Sequence, residues 1–220
     1  MTDIYDNMQK KDPPNKENVA FPAVGSIISF ANIDWWVLAI ENDKAFLISE
    51  NVLEKRKYNN EFTDVTWETC TLRKYLNGEF YNSLGADRSK IAETKNSNPD
   101  NQWHGTDGGN TTTDKIFLLS LDEVVKYFGD SGQLNNPPKD DLQLQSWWID
   151  DEYRIDDEYN SARIAKDKSG KVSWWWLRSP GGYSVSAAPV FDDGNIGVGG
   201  YYVDIDSGGV RPALWLNLYV

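Results

Sequence analysis

The first apolar stretches of the chain are short, β-branched or aromatic, and cut by polar residues. Gly25–Phe30 (GSIISF), Trp35–Ile40 (WWVLAI) and Lys44–Glu50 (KAFLISE) are parted by Asn32 and Asp34, then by Asn42 and Asp43. Runs of this makeup, bounded by residues that favour turns, predict an antiparallel three-strand meander. The period then changes. Leu72, Tyr75, Leu76 and Phe80 recur at i, i+3, i+4 and i+8, an apolar stripe along one face of a helix that Gly78 weakens. Lys115–Ser120 (KIFLLS) reads as a buried strand. Ser120 and Glu123 then form an S-x-x-E capping box, opening a second helix with Leu121, Val124, Val125 and Phe128 on its face and Gly129 at its end.

Asn, Pro and Asp dominate Gly132–Leu142, a long surface loop ahead of Trp147 and Trp148. Ile149–Arg154 (IDDEYR) is echoed by Ile155–Asn160 (IDDEYN), too short a repetition to indicate a repeat architecture. Past Lys171 the residues are mostly Trp, Gly, Ser, Tyr and Val, punctuated by Pro180-Gly181-Gly182, Asp193-Gly194 and Ser207-Gly208-Gly209. Short strands joined by tight turns follow, with Asp193-Gly194 a two-residue hairpin turn between Val190-Phe191 and Ile196–Val198. Residues 1–18 carry Pro13, Pro14 and mixed charge without periodic apolar positions, which reads as a disordered leader. Residues 19–220 then form a single α+β domain of short antiparallel strands, two helices and long loops.

Composition narrows the function classes. The 220 residues can bury a sizeable core, roughly 70% of the unfolded surface, so no disulfide or metal is needed for stability. Lys and Arg number 22 against 34 Asp and Glu, a net charge of −12, which disfavours nucleic acid. The longest purely apolar run, Trp35–Ile40, is far too short for membrane insertion, and the first twenty residues lack the apolar core of a secretory signal. The compartment stays open: cytoplasmic, phage-borne or a trimmed surface protein. The lone Cys70 excludes disulfides and Cys-pair zinc sites, and the lone His104 excludes sites built on two histidines.

Few groupings carry recognisable chemistry. Gly129-Asp130-Ser131-Gly132 spells the GDSG of trypsin-like proteases, but it sits at a helix end, too close in sequence to His104 for that fold. Cys70 lies near a helix start with Arg73 one turn on, yet a lone cysteine is more often a small buried apolar residue. His104 reads as a loop histidine with a possible ligand contact. Asp150, Asp151, Glu152, Asp156, Asp157 and Glu158 could supply the two carboxylates of a hydrolase; the bland reading is a solvated charged face. Calcium is possible at Asp192, Asp193 and Asn195, or at Asp204 and Asp206, although no known loop spacing is matched.

Ten tryptophans stand out. Trp35, Trp36, Trp67, Trp175 and Trp215 are expected in the core. Strand alternation cannot place Trp174, Trp175 and Trp176 on one face, so some of these rings should be partly exposed. Aromatics beside Asn, Asp, Ser and Tyr make recognition surfaces, and residues 181–209 have that makeup. Tyr183, Ser184, Ser186, Asp193, Asn195, Tyr201, Tyr202, Asp204 and Asp206 are therefore the expected ligand-binding residues. Arg178 and Arg211, beside prolines in apolar strands, should each pair with a carboxylate or with carbonyls and pin those late loops to the sheet.

Four stretches carry a resemblance. DVTWETCTLRKYLNGEFYNSL (64–84), DKIFLLSLDEVVKYFGDSGQL (114–134), WWLRSPGG (175–182) and GVRPALWLNL (209–218) resemble a domain-of-unknown-function family of gut anaerobes. More distantly, the Trp-rich strand with its Arg, the Gly, Ser and Asn-rich run and the closing G-V-R-P-A-L resemble the C-type-lectin-like fold of formylglycine-generating enzymes and the variable proteins of diversity-generating retroelements. That resemblance implies a scaffold that displays residues from Tyr183 to Ser207. It does not imply formylglycine chemistry, which needs a reactive cysteine late in the chain. The expectation is a non-catalytic domain that binds a glycan or protein ligand without a cofactor. The alternatives are a structural domain of a larger surface or phage assembly, and the hydrolase.

Overall fold

The expected meander forms, and the far end of the chain completes it. The computed structural model describes residues 22–137 and 153–219. The leader 1–18, Trp147, Trp148 and the carboxylates Asp150, Asp151 and Glu152 lie outside the described residues. Strands β1 (Ile27–Phe30), β2 (Ile33–Glu41), β3 (Lys44–Ser49) and β4 (Glu54–Lys55) come first. Helix α1 (Thr71–Tyr75) runs through a π-helical segment, Leu76–Phe80, into α2 (Tyr81–Ser83), so the apolar stripe lies on one continuous helical stretch. Strands β5 (Thr94–Asn96) and β6 (Thr112–Asp114) pair with each other ahead of helix α3 (Leu121–Phe128). After β7 (Arg154–Ile155) and helix α4 (Asn160–Arg163) come β8 (Trp175–Pro180), β9 (Ser186–Val190) and β10 (Ile196–Gly197). Last are β11 (Tyr201–Tyr202), β12 (Gly209–Val210) and β13 (Ala213–Asn217).

One sheet has the order β1-β2-β3-β13 and is antiparallel throughout; the other has the order β4-β12-β8-β9-β10-β7, with β11 on β9. Its β12–β8 pair alone runs parallel. The class is α+β with mostly antiparallel strands. Each meander turn has two central residues at positive φ, Ala31 (51°) with Asn32 (60°) and Asn42 (49°) with Asp43 (61°). That geometry matches the right-handed twist of the flanking strands.

The core is aromatic. Phe46 of β3 stacks on Trp215 of β13 (4.8 Å between centroids) and on Phe117 (5.9 Å). Trp175 and Trp176 are both fully buried although they point to opposite sides of β8, so that sheet is covered on both faces. Of the three adjacent rings only Trp174 is partly exposed. The run Lys115–Ser120 does not form a regular strand. Its backbone is shared between the sheets: Phe117 exchanges hydrogen bonds with Ala213 of β13, and the Leu119 carbonyl accepts from the Arg178 N–H of β8. A segment bonded to both sheets cannot follow the ladder of either one.

Asp193-Gly194 does make a hairpin, but the loop has three residues. The Phe191 carbonyl accepts the Gly194 N–H (3.1 Å), the Phe191 N–H reaches the Asn195 carbonyl (2.8 Å), and Gly194 sits at φ 87°. This is a tight turn followed by a left-handed glycine, the usual three-residue solution. The segment Ser207-Gly208-Gly209 is less a turn than a close approach. A Cβ on Gly208 would lie 1.8 Å from the Trp176 indole nitrogen, and Gly209 already belongs to β12.

Three buried arginines brace the frame. Arg178 holds both carboxylate oxygens of Glu123 and the Leu118 carbonyl (2.8 Å). Arg211 donates to the Ser49 (2.9 Å) and Glu50 (3.3 Å) carbonyls, with its guanidinium 5.0 Å from the Trp175 ring centre. Burial pushes its pKa down to about 9. Both are paired as expected, but their partners lie on α3 and at the end of β3, so neither pins the late loops. The third, Arg163, is absent from the expectation. It pairs with Asp157 through two bonds (2.8 and 3.0 Å) and caps the Gly129 carbonyl at the end of α3 (2.9 Å). Burial opposes ionisation of Asp157, yet bonds from Arg163, Ser131 and the Tyr159 N–H hold its pKa below the ordinary value. Trp175 donates to the Arg163 carbonyl (3.2 Å), which ties the expected structural tryptophan into the same brace.

Candidate recognition surface

The surface is assembled where a loop from the first half of the chain meets the late strands. Residues 59–65 follow β4, and two backbone bonds stitch them to the C-terminal segment: the Asn59 N–H donates to the Val203 carbonyl (2.8 Å) and the Val65 N–H to the Ser184 carbonyl (3.0 Å). The start of the loop is also tied to α1, with the Asn60 N–H on the Thr71 hydroxyl (3.0 Å) and the Thr71 N–H on the Asn59 side chain (3.2 Å). Beneath it, Asp114 is buried and accepts from the Trp67 indole (3.1 Å), Arg73 (2.6 Å), Asn96 (3.0 Å) and Thr112 (2.7 Å). A carboxylate satisfied this fully acts as a rigid node, because moving any one donor would leave buried charge uncompensated.

On this frame stand two exposed rings. Phe62 is 57% exposed and meets Tyr202 edge to face at 5.2 Å; Tyr183 is 40% exposed. The Ser184 hydroxyl donates to Asp64 (2.5 Å), and the Ser186 hydroxyl accepts the Tyr183 N–H (3.1 Å) and donates to its carbonyl (2.9 Å). The strand register sets Tyr202 opposite Ser186. Aromatic rings are thus presented outward beside Asp64, Ser184 and the exposed Asn60 and Glu61, on a loop whose backbone is bonded at residues 59–61 and 65. Such a surface offers contact area at low conformational cost and hydrogen bonds from small groups.

The structure divides the nine expected ligand-binding residues. Tyr183, Ser184 and Tyr202 come together here. Ser186 and Asn195 are buried, with Ser186 closing the Tyr183 turn and Asn195 accepting from Asn160, so their side chains are occupied internally. Tyr201 is half-buried in an aromatic row between Trp174 (5.2 Å) and Phe191 (5.2 Å). Asp193 accepts the Asn195 N–H (3.0 Å) and faces Arg154, which commits that carboxylate to its own hairpin. Asp204 and Asp206 lie on the loop after β11, where Asp206 borders a groove described below. Of the residues expected for calcium, Asp192 is exposed on the hairpin and Asn195 is buried. Among the described residues no group of three or more His, Cys, Asp or Glu side chains could hold a metal.

Sequence reasoning missed Phe62 and Asp64, since a single Phe in a polar loop carries no periodic signal. Cys70 is buried at the N-cap of α1, where its sulfur accepts the Arg73 N–H (3.3 Å) and burial pushes its pKa up to about 12. His104 stands edge-on to Tyr153 (5.3 Å), its pKa lowered by burial. Asp157 is the counter-ion of Arg163. Among the described residues no helix is long and apolar enough to cross a membrane. No curated protein and no solved structure matches the chain. A family model described as domain of unknown function (DUF6273) matches residues 42–218, and the chain belongs to that family.

Proposed function

We propose that the protein is a non-catalytic recognition domain whose surface around Phe62, Tyr183, Ser184 and Tyr202 binds a glycan or a protein ligand. The observation that carries the reading is exposed Phe62, set edge to face against half-buried Tyr202 of β11 and carried on a loop bonded to both α1 and the late strands. An apolar ring that the fold neither buries nor needs for packing costs solubility, and a rim of small polar groups is what turns it into a contact surface. The C-type-lectin-like scaffold suggested by the sequence resemblance is part of the same proposal. It is supported by the α+β class, and by late strands and loops that project from one sheet before β13 returns to the other.

A glycan array and a cell-surface pull-down test this reading. The wild-type chain should bind, and Phe62→Ala combined with Tyr202→Ala should reduce binding at least tenfold while leaving the melting temperature within a few degrees. Equal binding by the double variant would move the site elsewhere.

A further inference from the structure

We propose that the groove between β4 and α1 is an oxyanion site, taking a phosphate, sulfate or carboxylate group of a small ligand. It is independent of the aromatic surface. The groove encloses about 670 Å³ and is bordered by Lys55, Arg56, Lys57 and Lys74 against only Glu79 and Asp206. In a chain of net charge −12 this local excess of cations runs against the overall field.

Among the described residues Arg56 has a carboxylate partner at ion-pair distance: it bonds Glu54 (2.9 Å) while its guanidinium lies 3.5 Å from the Tyr75 ring centre. With the bonds from Ser169, the charge of Lys55 helps hold the Asp167 pKa down. Glu54 is used again by the Tyr75 hydroxyl (2.5 Å). Lys55, Lys57 and Lys74 form no ion pair with any described residue. Surface lysines gain little from pairing, so being unpaired is ordinary for one of them. Three beside a single groove repel one another, and a bound anion relieves that repulsion.

The backbone that carries them is held in place. Lys55 pairs with Gly209, the Arg56 N–H donates to the Gly208 carbonyl (2.8 Å), and the Trp176 indole donates to the Arg56 carbonyl (2.9 Å). A fixed base lowers the ordering cost that a ligand must meet. The opposite wall contains the π-helical segment with Gly78, where a Cβ would meet nothing within 4 Å. Packing therefore gives no reason for a glycine in this helical stretch, and its effect is to widen the groove. Helical segments of this kind are frequent at functional sites. Glu79 and Asp206 on the border oppose a continuous polyanion, so a discrete anionic group fits better than a nucleic-acid backbone.

The test is titration of the full chain, followed by amide chemical shifts at low ionic strength, with inorganic phosphate, inorganic sulfate and glucuronate in separate arms. Sodium chloride at matched ionic strength is the control. At least one oxyanion should shift the amides of residues 55–57 and 71–79 saturably, and the three arms rank phosphate, sulfate and carboxylate. Lys55→Glu with Lys74→Glu, both exposed positions, should weaken binding more than tenfold with no loss of fold by circular dichroism. Lys95→Glu, outside the groove, should not. Responses no different from chloride in all three arms, or a double variant that binds like wild type, would overturn the proposal.

Discussion

Arg178 of β8 and Glu123 of α3 form a two-point ion pair in which Glu123 also completes the capping box of its helix. The Glu123 carboxylate takes the Ser120 N–H (3.0 Å), the Ser120 hydroxyl takes the Glu123 N–H (3.2 Å), and the Arg178 guanidinium adds the Leu118 and Ser97 carbonyls. One carboxylate thus caps the start of a helix and fastens it to the central strand of the larger sheet. Arg178→Ala should cost about 3 to 5 kcal/mol in chemical denaturation, because buried acceptors lose their donor. Glu123→Gln should cost less, since glutamine keeps the capping box while halving the charge match. Equal midpoints for Arg178→Ala and wild type would show that the brace carries no stability.

The β1–β2 turn contains a local strain that a single substitution can release. Ala31 sits at φ 51°, a left-handed conformation that its Cβ disfavours and that asparagine tolerates well. Ala31→Asn should raise stability by about 0.5 to 1 kcal/mol, seen as a melting temperature higher by roughly 1 to 4 °C for a chain of this size. A lower melting temperature would mean that the half-buried methyl group contributes more than the strain costs.

How far the sequence predicts this structure depends on the range of the interaction. The meander, the α3 capping box and the 190–197 hairpin rest on residues close in sequence, and all three form as expected, apart from one extra residue in the hairpin loop. Asp64 and Ser184 are neighbours only because residues 59–65 lie against residues 183–203, and no local period announces that contact. The same holds for Asp114, whose donors Trp67 and Arg73 come from far upstream: a buried carboxylate reads in sequence as one more acidic surface residue until its donors are placed. The late polar residues mislead for a related reason. Ser186 and Asn195 resemble ligand contacts in composition, but the Ser186 hydroxyl bonds the backbone of the Tyr183 turn and the buried Asn195 side chain accepts from Asn160.

The same glycine-to-alanine change should have opposite signs at two positions. At Gly208 the new methyl would fall within 1.8 Å of the Trp176 indole nitrogen, whose hydrogen bond to the Arg56 carbonyl holds β4 in place. Gly208→Ala should therefore cost about 2 kcal/mol or more through overpacking. At Gly78 the methyl meets nothing and the helical stretch loses a poor helix former, so Gly78→Ala should add about 0.5 to 1 kcal/mol. Paired urea titrations check both, and a stabilised Gly208→Ala would contradict the packing around Trp176.

Cys70 should be inert in the native state and should govern part of the alkaline response. Burial raises its thiol from 9.0 to about 12, so the fold favours the protonated form. The sign follows from that: stability linked to Cys70 is complete below pH 9 and is lost as pH rises from 9 towards 12, in total on the order of 4 kcal/mol at 1.36 kcal/mol per pH unit. Tyr58, raised by burial, acts in the same direction from about pH 10, whereas Arg211, lowered by burial, acts in the opposite one. Comparison with Cys70→Ala isolates the thiol. That variant should begin about 1 kcal/mol less stable at pH 7, having lost the cap on the Arg73 N–H, and the gap should close or reverse by pH 11. Iodoacetamide at pH 8 should label the native chain only as fast as it unfolds. Labelling at the rate of a free thiol would place Cys70 at the surface and undo the argument.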